Sequence, residues 1–287
     1  MMNDIAKMQE LWQEMSSWMT TYMKSFYSPE AAKTAKSHLE IKSAKTIFFD
    51  DAQIVDGIIL KEKHTWKVVK NCENLAKHLN LNEHDSLLAK MIGLFHDVGR
   101  FYQFTVYRTF NDALSENHAK LGLKVIKDLP FMTKLDKEDL ATLKFAILNT
   151  NALGNHNAKE IAPTENQRHL AFAKLIRDAD KIDIYRVLKP FLGPTDGTGC
   201  SPDFVDLFVA GKQCDYTKMR TQDDRKLVRL MWVYDVYFAW SLQQIVEQNY
   251  IEDIINNLVQ DEKMMQGITR LRNYIQEKLQ TKDIWQG

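Results

Sequence analysis

Apolar residues recur at steps of three and four along most of this 287-residue chain, and that period limits its fold more than any other feature. Leu11, Met15, Trp18, Tyr22 and Phe26 form one stripe, with Trp12, Met19 and Met23 beside it. Val68, Val69, Cys72, Leu75, Ala76 and Leu79 form a second, and Leu87, Leu88, Met91, Ile92 and Phe95 a third. An α-helix gathers such positions on one face, whereas a half-buried strand needs strict alternation. Chain breakers are scarce: 11 glycines and 6 prolines leave room for few turns. The expected fold class is all-α.

The first stripe reads as an amphipathic helix with an aromatic, Met-rich face. Its flanks lack the lysines of a membrane-surface helix, so it is expected to pack on its own domain or on a second copy in a homodimer. Ser28-Pro29-Glu30 reads as an N-cap followed by proline at the first helical position. Residues 46–60 fit a short strand or an apolar loop equally well. A helix over 62–79 carries His64 in its first turn, and Asn82 caps the next. Residues 101–114, with the run FYQFTVYRTFND, read as a loop. Ser115 is expected to cap a helix with His118 in its first turn, and Asp136 to open one ending near Asn149. Thr164 and Gln167 make a capping box for a helix running to Val187. Residues 191–203 are the clearest break, followed by helices at about 222–248, 250–259 and 262–280. This divides the chain into an N-terminal helical extension (1–59), a central helical core (60–190) and C-terminal helices (191–287) completing the same domain.

Composition excludes several functions. Lys+Arg and Asp+Glu balance at 38 each, so no overall field draws the chain to a nucleic-acid polymer or an anionic membrane. No apolar run approaches the ~18 residues of a membrane span, and no signal-like start is present. A cytoplasmic protein with a small-molecule substrate is expected. Cys72, Cys200 and Cys214 are too few and scattered for a disulfide framework or a CxxC metal site. The glycines of 191–203 lack the GxxxxGK[ST] spacing and a preceding strand, so they are not a phosphate loop.

Chemistry concentrates in MIGLFHDVGRF, residues 91–101, where an apolar helical run ends in His96-Asp97. Imidazole nitrogen and carboxylate oxygen both suit Zn, Mn, Fe or Ni. A lone His-Asp pair more often marks an exposed helix end. Here it has company: His64 upstream, His118 downstream, and Asp180 between apolar positions in RDADKID. A buried aspartate is costly without a partner. Separate ion pairs, with Arg177 or Lys181 serving Asp180, would explain each residue singly. One shared cation explains all of them together.

His64, His96-Asp97 and Asp180 resemble the ordered H…HD…D signature of the HD-domain metal-dependent phosphohydrolases. The likeness extends to KHTWKVVKNC, LFHDVGRF, HAKLG and DADKID, over roughly residues 60–190. It implies an all-α bundle in which His64, His96, Asp97 and Asp180 hold one divalent transition metal: Mn, Zn, Fe, Ni or Co. The Ala179-Asp180 pair places the ligand at Asp180 rather than Asp178 or Asp183. His118 resembles the extra histidine that binuclear members use for a second metal. Their following histidine pair is replaced by Thr150-Asn151, with His156 a few residues on, so a weak or incomplete second site is expected.

The implied reaction is hydrolysis of a phosphomonoester or phosphodiester, a nucleotide among the candidates, by metal-activated water. Asp97 and Arg100 would be catalytic, Arg100 and Arg108 being the candidate phosphate cations, with Arg108 and His118 on the substrate side. Lys181 is expected to pair with a supporting carboxylate such as Asp183. Phe101, Tyr102, Phe104 and Tyr107 either wall a pocket for a flat group or belong to the core. Two other classes share the ligand set: a binuclear-iron oxygenase, which needs both metal sites, and a nucleotide- or metal-binding sensory module without turnover.

Overall fold

The computed structural model describes residues 2–27, 51–112, 114–150, 160–189, 192–215 and 218–287, and among them every regular element is helical. The first, α1 (Met2–Lys24), buries Met8, Leu11, Met15, Met19 and Met23. That face packs on α3 (Glu83–Phe95) and on the 3-10 turn Pro130–Lys134. Trp18 meets Phe95 and Phe131 with ring centroids 6.1 and 5.9 Å apart.

Helix α2 runs from Asp51 to His78, so residues 51–60 are neither strand nor loop. Ile54, Ile58, Thr65, Val68 and Cys72 are all buried, because the helical period continues upstream of His64. His64 is therefore mid-helix, not in a first turn. Ser28-Pro29-Glu30 and residues 46–50 lie outside the described residues. Asn82 caps α3 as expected, its side chain accepting from the Asp85 N–H.

Of the loop expected over 101–114, residues 101–107 belong to helix α4 (Val98–Tyr107), in which Val98, Phe101 and Phe104 are buried at helical spacing, while residues 108–112 and 114 are non-helical as expected. Helix α5 (His118–Ile126) is capped by Asn117, which accepts from the Lys120 N–H. Ser115, the expected cap, donates its hydroxyl to the Asn111 carbonyl instead. Helix α6 (Lys137–Leu148) begins at Asp136 as anticipated. The long helix α7 (Gln167–Leu188) is capped by Asn166 rather than Thr164, whose hydroxyl oxygen accepts the Asn166 N–H.

Beyond the break come α8 (Pro202–Val209), α9 (Gln222–Met231), α10 (Ala239–Glu247), α11 (Tyr250–Asn256) and α12 (Glu262–Leu279). The helix expected over 222–248 is interrupted by a 3-10 turn at Trp232–Asp235. Distant carboxylates take the freed backbone: Asp178 accepts from the N–H groups of Tyr237 and Phe238, and Asp283 from those of Ala239 and Trp240. Helix α7 joins two cores. Its Phe172, Leu175, Ile176 and Ala179 belong to the core of α1–α6, while Ile182 and Tyr185 belong to that of α8–α12.

Candidate metal centre

Three elements converge on one buried point. His64 projects from the middle of α2, His96 and Asp97 lie at the junction of α3 and α4, and Asp180 projects from α7. One atom from each of His64, His96 and Asp180 lies within 4.8 Å of the other two. His64 Nε2 stands 3.0 Å from Asp180 Oδ1, and His96 Nε2 stands 3.9 Å from it. Asp97 Oδ2 is 3.5 Å from His96 Nε2 and 3.8 Å from His64 Nε2.

What these atoms lack is a hydrogen-bond partner. His64 Nε2, His96 Nε2 and Asp180 Oδ1 are buried, and none has one within the structure. The opposite ring nitrogens are engaged: His64 Nδ1 with Asp183 Oδ2 at 2.8 Å, and His96 Nδ1 with the Gly93 carbonyl at 2.7 Å. Both partners are acceptors, so each Nδ1 carries the proton and each Nε2 presents a lone pair inward. A lone pair and a carboxylate oxygen facing each other at 3.0 Å repel unless a cation or proton lies between them. Two imidazole nitrogens with carboxylate oxygens are a donor set for a divalent transition metal, and the residues present fit one.

A second cluster behaves differently. His84 meets Asp4 at 3.1 Å and Asp139 at 2.8 Å through its two ring nitrogens. Arg168 Nη2 lies 2.7 Å from both Asp85 and Asp139. That group carries its own cation and reads as an ion-pair network.

The electrostatics of the first cluster are mutual. Burial pushes the Asp97 carboxyl up, but the Lys61 ammonium, His96 and Arg100 together hold it well below the usual carboxylate range. Burial likewise opposes ionisation of Asp180, and His64 and His96 outweigh it and hold the carboxyl low. Burial lowers His96, while Asp97 and Asp180 outweigh that and raise it. Lys61, which the sequence reading missed, donates to Asp97 Oδ2 at 2.5 Å from a nearly buried position. Its signal was the three-residue step to His64, legible once residues 51–60 are known to be helical.

Asp97 Oδ1 faces the other way, 3.6 Å from both Arg100 Nε and His118 Nε2. Arg100 Nη1 donates to Gln103 Oε1, the Phe110 carbonyl and Asp112 Oδ1 at 2.8, 2.6 and 2.8 Å. The Asp112 carboxylate also engages His118 Nδ1, at 2.7 Å from Oδ2. Close backbone contact positions His118: a Cβ on Gly99 would fall 2.2 Å from the His118 carbonyl oxygen and 2.5 Å from the Gly122 nitrogen. Gly99 thus serves the close crossing of α4 and α5. Arg108 is the C-cap of α4, with φ of 55°, about 16 Å along the helix axis from Asp97 at the N-cap.

Thr150, where a histidine was expected, is buried and donates its hydroxyl to the Ala146 carbonyl. Asn151 and His156 lie outside the described residues. The anticipated pairing of Lys181 with Asp183 does not form. Lys181 and Arg177 both pair with Asp235, at 2.8 and 2.7 Å, which leaves Asp180 to the cluster. Of the aromatics, Phe101 and Phe104 are core, while Tyr102 and Tyr107 are partly exposed. A cleft of about 260 Å³ between α7 and residues 281–286 shares no lining residue with the cluster.

Residues 62–185, the span from α2 to α7 that holds every cluster residue except Lys61, match the family model of the HD domain. Over that span the chain is similar to an HD domain. The HD superfamily is made up largely of metal-dependent hydrolases. No curated protein and no solved structure matches the chain. Among the described residues, no helix is long and apolar enough to cross a membrane.

Proposed function

We propose that the protein is a metal-dependent phosphohydrolase acting on a phosphomonoester or phosphodiester, a nucleotide among the candidates. The observation that carries this reading is the convergence of three buried, unpartnered donor atoms from three helices inside the span similar to an HD domain. A divalent cation bound there supplies a Lewis acid and a water of lowered pKa. His64, His96, Asp97 and Asp180 are the residues that would hold it. Asp183 and the Gly93 carbonyl keep the two imidazoles turned with Nε2 inward. Lys61 brings an ammonium to Asp97 Oδ2, where it supplies positive charge beside the phosphoryl group. Arg100 and Asp112 hold His118 against the opposite edge of Asp97, on the side assigned to substrate. A guanidinium at Asp97 Oδ1, with the Thr150 hydroxyl turned back on its own helix, favours one principal cation over two. That weighs against a binuclear-iron oxygenase.

Elemental analysis and a panel of phosphate esters test the proposal. Wild-type protein should retain about one transition metal per chain and hydrolyse at least one ester. His96→Ala and Asp180→Asn should lose both with unchanged far-UV circular dichroism, while Lys61→Met should keep its metal and slow turnover tenfold or more. Full metal content in His96→Ala and Asp180→Asn would overturn the assignment.

A further inference from the structure

The face of α7 that presents Asp180 performs a second task three residues on. Asp183 is nearly buried, and its Oδ2 accepts from His64 Nδ1 at 2.8 Å. One turn further, Arg186 reaches the same carboxylate with two donors, Nε to Oδ1 at 2.6 Å and Nη2 to Oδ2 at 2.7 Å. Positions 180, 183 and 186 fall on one helix face. His64 therefore lies between two carboxylates of a single helix, at 3.0 Å through Nε2 and 2.8 Å through Nδ1.

A neutral imidazole has one N–H to give. Of these two contacts, the one at Nδ1 is aligned as a hydrogen bond, whereas Nε2 faces Asp180 off-line. Were the proton at Nε2, its donation to Asp180 would withdraw both atoms from a cation. Asp183 therefore makes the choice of tautomer, and Arg186 fixes the carboxylate that makes it. Neither residue reaches into the cluster itself.

We infer that Asp183, held by Arg186, is a positioning residue that keeps His64 in the tautomer and ring orientation required for cation binding, an assignment that rests on the metal-centre reading above. The competing role is structural: an ion pair within one helix that stabilises α7 and nothing more. Histidine side-chain 15N NMR on the metal-free full-length protein, with Zn titration calorimetry, separates the two. In wild type, His64 should be protonated at Nδ1. In Asp183→Ala it should shift toward Nε2 protonation, and the Zn Kd should weaken ten- to hundredfold. Asp183→Asn, whose amide oxygen still accepts the bond, should keep the tautomer and lose severalfold. A lowered melting temperature in Asp183→Ala, with tautomer and Kd unchanged, would overturn the positioning role. If that variant fails to fold, an unchanged Kd in Asp183→Asn does the same. Absence of Zn binding in wild type would instead overturn the metal-centre reading, and the NMR result would still decide the tautomer.

Discussion

Replacing Arg100 with methionine separates a structural role from a substrate role at the residue that follows His96-Asp97-Val98-Gly99. Arg100 and Asp112 are each 13% exposed at the side chain, so the pair lies near the buried limit. Removing one partner of a fully buried pair costs roughly 3–5 kcal/mol. The residual exposure reduces that figure, and Asp112 keeps its bonds to Gln103 and His118. The Phe110 carbonyl loses a charge-assisted donor, which adds on the order of 1 kcal/mol. The net expectation is a loss of about 2–4 kcal/mol, which for a chain of this size lowers Tm by about 3–7 °C. Calorimetry, metal content and kcat/KM on one preparation check it: Tm should fall, metal should stay, and kcat/KM should drop no more than a few-fold. A Tm within about 1 °C of wild type, with kcat/KM down tenfold or more, would refute the argument. Arg100 would then be spending its guanidinium on substrate rather than on Asp112.

Two further substitutions probe the framework. Gly99→Ala places a methyl against the His118 carbonyl and should cost roughly 1–3 kcal/mol or more, whereas Gly193→Ala, with open space around its Cβ, should leave the thermal midpoint within a degree; equal midpoints would refute the close-approach role of Gly99. The Asp178 carboxyl is raised: burial pushes it up against the opposing pull of Lys181 and the Tyr237 and Phe238 N–H groups, to about 6. The native state therefore binds more protons than the unfolded state between about pH 4 and 6, so this group's contribution to stability is lost as pH rises through that window. Urea unfolding at pH 4.5 and 7 should show wild type gaining on Asp178→Asn at the lower pH, and a constant difference would contradict the assigned shift.

The helical class, and much of the cluster, were legible in the sequence. Apolar spacing is a property of the chain itself, and imidazole and carboxylate are metal-ligand types wherever they fall, so candidates could be named before any geometry; the resemblance to the HD-domain signature was what selected His64, His96, Asp97 and Asp180 among them. Boundaries were less legible. Thr164 and Asn166 are both capping residues two positions apart, and which oxygen meets the first free N–H depends on how the chain enters α7. The break after Met231 has no local cause, because the carboxylates that receive the freed backbone, Asp178 and Asp283, lie more than forty residues away. Supporting roles were the least legible. Lys61, Asp112, Asp183 and Arg186 are ordinary charged residues in sequence; the packing of α2, α4, α5 and α7 decided which of them faces a histidine, which faces Asp97, and which cation each carboxylate receives. Lys181 and Asp183 show the same limit, since two neighbours on one helix point to different faces and find partners on different elements. Residue type and period are carried by the chain, but the partner of a charge is set by what the fold brings within about 3 Å of it.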